Sequence, residues 1–91
     1  MQKGQILETT TKVVDHFEAQ TSDRWFGSVS LFDVYISEIY GLYVVEYDMK
    51  STGMGIEHEV FEREEDAKAC YNSKIAEIKR DIIAEFQKEV A

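Results

Sequence analysis

Residues 32–49 read FDVYISEIYGLYVVEYDM, residues 50–55 read KSTGMG and residues 56–62 read IEHEVFE. Apolar and polar side chains alternate through the first and third segments, the period-2 signature of strands that bury one face. The glycine-rich polar segment between them reads as a connection. Taken from Ser28 to Glu62, the stretch predicts a three-stranded antiparallel meander, with the segments on either side laid over one of its faces.

The first hairpin can be registered by arithmetic. With Tyr40 and Gly41 as the two turn residues, Ile36 opposes Val45, Val34 opposes Tyr47 and Phe32 opposes Met49, which makes one apolar face. The other face then holds Ser37 with Val44, Tyr35 with Glu46 and Asp33 with Asp48. Val29 and Leu31 are out of phase with Phe32, so a bulge near Leu31 or a strand that starts later is expected. For the third strand, the parity that buries Ile56, His58 and Val60 is preferred, because the alternative buries Glu57 and Glu59.

This register gathers Asp33, Tyr35, Glu46, Asp48, Glu57 and Glu59 on the outward face. Facing carboxylates destabilise a sheet by a few tenths to about 1 kcal/mol per pair. A cost of that kind without a structural reason makes these six the candidate partner-binding surface.

The flanks read as helices. From Gln5 to Gln20, Ile6, Leu7, Val13, Val14 and Phe17 fall on one helical stripe, although Thr9, Thr10, Thr11 and the two valines lower helix propensity. Trp25 and Phe26 follow as anchors, and Gly27 allows a bend. After Phe61, Glu62, Glu64, Glu65 and Asp66 supply the negative charge that favours a helix N-terminus. That helix is expected to run to about Val90 with Ala67, Tyr71, Ile75, Ile78, Ile82 and Phe86 buried. Some 26 residues of helix span roughly 39 Å, and an eight-residue strand only about 27 Å. Ile82, Ile83, Phe86 and Val90 should therefore overhang the sheet and form a homodimer interface. The expected fold is α+β, in the order α-β-β-β-α, as one domain over residues 1–91.

Composition narrows the partners. Ten Lys and Arg against eighteen Asp and Glu give a net charge of −8, which disfavours nucleic acid and anionic membranes and favours a basic protein surface. Hydrophobic residues at 44% are enough for a folded core despite that charge. Cys70 is the single cysteine and can form no internal disulfide; with no signal-peptide or membrane-spanning pattern, a cytoplasmic location is expected.

Signatures of chemistry are weak. Gly53-Met54-Gly55 starts like a dinucleotide fingerprint, but His58 stands where the third glycine belongs and the segment joins two strands. Neither Cys70 nor the imidazoles of His16 and His58 have a catalytic neighbour in sequence; His58 is expected to face the core, bonded to Tyr47, and Cys70 to be a half-buried filler. Asp33, Asp48 and Glu57 would crowd one hard cation if they shared a face, although no EF-hand spacing supports it. No catalytic residue, metal ligand or cofactor is expected.

The expected order of elements resembles that of double-stranded-RNA-binding domains over about residues 5 to 85. In that family a lysine-rich motif at the start of the last helix grips phosphates; here the position reads Glu64-Glu65-Asp66-Ala67-Lys68, opposite in charge, so the resemblance carries topology and no RNA-binding residue. By size, acidity and lack of a catalytic set the chain is also similar to small phage-encoded inhibitors of bacterial defence systems, several of which imitate nucleic acid. The expected function is thus a non-enzymatic acidic interaction module that binds the basic surface of a nucleic-acid-handling protein, in a host cytoplasm if phage-encoded. The alternatives are an assembly protein dimerising through its C-terminal helix, and a small-ligand or cation-binding protein, the latter raised by Tyr35, Tyr40, Tyr43 and Tyr47 on the strands.

Overall fold

A computed structural model describes residues 10–37 and 40–90. The elements are β1 (Thr10–Gln20), β2 (Trp25–Ser37), β3 (Tyr40–Met49), β4 (Ile56–Phe61) and α1 (Glu64–Val90). The strands form one antiparallel sheet in the order β1-β2-β3-β4, and α1 lies across a single face. The α+β class is as expected; the sheet has one more strand than expected, and residues 10–20 are that strand instead of a helix. Residues 5–9 of the expected helix lie outside the described residues. With residues 10–20 in the sheet as a fourth strand, the described elements do not follow the α-β-β-β-α order on which the likeness to double-stranded-RNA-binding domains rests.

Residues 10–20 take the extended form for a reason that a helical pattern search misses. Thr10, Thr11, Val13 and Val14 are β-branched and favour a pleated surface. A shift of register between Val13 and Asp15 then reverses the alternation. Before the bulge, Thr11 and Val13 are on the helix-free face; after it, Phe17 and Ala19 are on the core face, so no single period of 2 runs through the strand.

β2 and β3 pair Gly27 with Met49, Val29 with Tyr47, Leu31 with Val45 and Asp33 with Tyr43. Relative to the expected register, β2 slides five residues: Leu31 opposes Val45 where Ile36 was expected. Tyr40 and Gly41 belong to β3, opposite Ser37 and Tyr35, and are not the turn. The core face of β3, with Val45, Tyr47 and Met49, is as expected. That of β2 is Val29 and Leu31 in place of Phe32, Val34 and Ile36; the ladder with β3 runs unbroken past Leu31, and the bulge opposite Leu31 and Phe32 is in β1. The observed register sets Glu46 against Ser30 and Asp48 against Ser28, which removes the facing carboxylates and pairs ten residues of β2.

α1 buries Ala67, Tyr71 and Ile78, with Ile75 and Ile82 partly covered, as the helical spacing predicts. β2 has 13 residues and α1 has 27, so both span roughly 40 Å, but they are offset: Ile78 seats at Gly27, near the start of β2, and the last turns of α1 run on past the sheet toward the β1–β2 turn. Phe86 packs on Phe26 with ring centroids 6.2 Å apart, under the Arg24 guanidinium at 5.5 Å, and Arg24 also reaches Glu85 and Glu89. Of the four residues expected to form a dimer seam, Ile82 packs against the core, Phe86 meets Phe26 and Arg24 but is still 40% exposed, and Ile83 and Val90 are exposed at 56% and 86%.

Candidate functional site: the helix-free face of the sheet

The alternation that places Val29, Leu31, Val45 and Tyr47 under α1 turns every second residue to the other side. Register then aligns those residues in rows across the strands. One row is Val13, Phe32, Val44 and Val60, and beside it lie Thr11, Val34 and Leu42. The next row is His16, Ser30, Glu46 and His58, and the one after it Glu18, Ser28, Asp48 and Ile56. The face is thus apolar toward one end of the strands and polar toward the other.

No described residue covers the apolar end. Val13 and Val60, on the two edge strands, are 57% and 58% exposed, and Ile56 is 63% exposed. A shallow groove of about 240 Å³ runs along it, lined by Thr11, Phe32, Val34, Val44, Glu46 and His58. Both histidines of the chain stand in the row that borders this groove. His58 Nε2 donates to Glu46 Oε2 at 2.9 Å, and His16 Nδ1 lies 2.8 Å from Ser30 Oγ. His58 does not face the core or meet Tyr47. It points outward with Ile56 and Val60, because β4 takes the opposite parity to the expected one.

That parity divides the six expected partner-binding residues. Glu46 and Asp48 lie on the helix-free face, joined there by Glu18. Asp33, Glu57 and Glu59 are on the side of α1. Tyr35 shares that side, beyond the level at which β4 ends, and is exposed. The single acidic face does not exist, and Asp48 is on the far side of the sheet from Asp33 and Glu57, so these three cannot converge on a cation. Among the described residues, no group of three or more His, Cys, Asp or Glu is placed to hold a metal ion.

The carboxylates beside α1 are matched locally. Lys12 stands opposite Asp33 in the ladder. Glu59 accepts a hydrogen bond of 2.8 Å from the Tyr47 hydroxyl and lies 3.7 Å from Lys74 Nζ, which sits 4.4 Å over the Tyr47 ring. Placing β4's Glu59 on this side, where it stays half-exposed, is therefore tolerable, although sequence parity alone weighs it as a penalty. Cys70 is half-buried beside this group, and burial, with the Glu59 charge, pushes its thiol upward, away from the reactive thiolate.

Burial, and then the bond to Glu59, push the Tyr47 hydroxyl up to about 12; burial, then Asp15, do the same for Tyr71. Both groups hold their protons more tightly folded than unfolded. The stability they contribute is complete below pH ~10 and is lost as pH rises toward 12, roughly 3 kcal/mol per tyrosine at most. Denaturant titrations at pH 9 and 11.5 should show a large loss for the wild type and about half that loss for Tyr47→Phe. An equal loss in the two proteins would refute the linkage.

Fold and surface together define a small α+β protein, a four-stranded antiparallel meander backed on one side by a single helix and bare, among the described residues, on the other. No protein-family model, no curated protein and no solved structure matches the chain. No helix among the described residues is long and apolar enough to cross a membrane.

Proposed function

We propose that the chain is a non-enzymatic protein-interaction module whose contact surface is the helix-free face of the sheet. One observation carries this reading: the row Val13, Phe32, Val44, Val60, with Val34 and Leu42 beside it, forms a contiguous apolar surface bordered by hydrogen-bonded polar residues. Apolar patches rimmed by polar groups mark contact sites more often than scattered exposed valines do. The reading is tested by hydroxyl-radical footprinting. His16, Phe32 and His58 should be labelled several-fold less in cells producing the protein than in purified protein at nanomolar dilution. Equal labelling in the two would overturn it.

A narrower reading keeps the basic partner and the inhibitor role expected from composition. It is favoured by the net charge of −8 and by Glu18, Glu46 and Asp48 lying together at the polar end of this face. It relies on two of the six residues first expected and on a different end of the face from the apolar rows. Glu46→Lys with Asp48→Lys should abolish such binding, which should also weaken steeply with salt; salt-insensitive binding by the double variant would exclude it.

A further inference from the structure

We infer that the occupant of the helix-free face is a second copy of this chain, packed sheet to sheet about a two-fold axis parallel to the strands and passing between β2 and β3. This inference rests on the reading of that face as a contact surface. Its argument is the arrangement of side chains across the rows. When two sheets pack face to face with their strands aligned, a two-fold axis relating them lies in the plane between them, along the strands or across them. An axis across the strands, placed at the His16–Glu46 row so that the faces overlap fully, would press the row of Val13 and Phe32 of one copy onto the row of Glu18 and Asp48 in the other, and placed at the apolar row it would leave the polar rows outside the overlap. An axis along the strands lays β1 over β4 and β2 over β3, so that each row meets itself reversed.

The consequences follow row by row. Val13, Phe32, Val44 and Val60 meet Val60, Val44, Phe32 and Val13 of the second copy, apolar on apolar throughout. In the next row Glu46 meets Ser30, and His16 meets His58. In the last, Asp48 meets Ser28, and Glu18 meets Ile56. No carboxylate meets a carboxylate, although each copy brings three to the face. The self-complementarity comes from the acids standing on β1 and β3 and their uncharged counterparts on β4 and β2, and an isologous interface requires that match. Ten paired residues along β2 and β3, and six where β4 of one copy lies over β1 of the other, give a mutual face on the order of 500 Å² in projection. With the relief of its side chains it approaches the ~800 Å² per partner of a stable interface.

The register supplies its own test. Val13 and Val60 lie on opposite edges of one sheet, about 14 Å apart, too far for an ion pair within the chain, yet the two-fold brings Val13 of one copy onto Val60 of the other. Sedimentation velocity of the wild type should show a dimer. Val13→Lys and Val60→Glu should each weaken it at least ~tenfold, by setting a charge against an apolar neighbour. An equimolar mixture of the two variants should recover the dimer as a heterodimer, because Lys and Glu then meet at one end while Val60 and Val13 meet at the other.

A wild type that stays monomeric at roughly 100 μM, far above a dimer Kd in the micromolar range, overturns the inference. If footprinting in cells still shows the face covered, the contact-surface reading survives with a different protein on it. Protection of the face in the monomer that is lost on deleting residues 1–9 assigns the cover to that segment and overturns both. A dimer whose variants fail to recover on mixing overturns the proposed axis.

Discussion

Leu31→Ala is expected to lower the unfolding free energy by about 3 kcal/mol, and Phe32→Ala, one residue along the same strand, by less than about 1.5 kcal/mol in the monomer. Leu31 is fully buried between Val45 and α1, and truncating it leaves a cavity that a close-packed core closes only in part. Phe32 is half-buried on the helix-free face, where truncation removes packing against Val13 and Val44 but opens no closed void. Urea denaturation monitored by circular dichroism, at protein concentrations low enough to keep the chain monomeric, reads the difference. The experiment decides the register, because pairing Phe32 with Met49 demands the opposite ranking. A small domain has only a few kcal/mol of net stability, so the Leu31 variant should be partly unfolded at 37 °C.

Gly27→Val is expected to be the second severe change. A Cβ at Gly27 would stand 2.9 Å from the backbone oxygen of Asp48 and 2.9 Å from Ile78 Cδ1. The first contact is with main chain and cannot swing aside; the second is with a fully buried side chain at the centre of the helix packing. Either the β2–β3 ladder opens at the Gly27–Met49 pair or α1 lifts from the sheet. A loss of about 3 kcal/mol or more is expected for Val and about 2 kcal/mol for Ala. Shortening the opposing side chain in the double variant Gly27→Ala, Ile78→Val should recover part of the Ala loss if α1 seats on this glycine. Additive losses would show that the main-chain contact alone sets the cost. Gly41 offers the contrast: a Cβ there meets only the backbone oxygen of Val34, at 3.3 Å.

These two positions show where sequence reasoning succeeds and where it stops. The long C-terminal helix was legible, with acids in its first turn and its buried stripe at Ala67, Tyr71, Ile75, Ile78 and Ile82, because a period of 3.6 is carried by one segment alone. The strand character and core face of β3 were equally legible from the alternation of Val45, Tyr47 and Met49. What failed depended on a second segment. Placing the turn at Tyr40-Gly41 left only Phe32, Val34 and Ile36 to fill the core opposite β3. With Tyr40 and Gly41 paired inside β3, Val29 and Leu31 do so. The bulge at Val13/Asp15 breaks the alternation that would reveal β1 as a strand and leaves a helical spacing of its apolar residues. The facing carboxylates that register produced were a sign of the error, since the native pairing with Ser28 and Ser30 carries no such cost.

Composition and local period, which need no partner strand, were enough for an acidic α+β chain with an antiparallel meander and a helix closing it. The tertiary structure decided which side of each strand is inside. A strand's period of 2 is satisfied by either parity, and only the ladder, the Tyr47–Glu59–Lys74 contacts and the seat of Ile78 on Gly27 choose between them. That choice moved Glu57 and Glu59 under the helix, turned Phe32, Val44 and Val60 to the open face, and with them moved the candidate site from an acidic surface to an apolar one bordered by His16, Glu46 and His58.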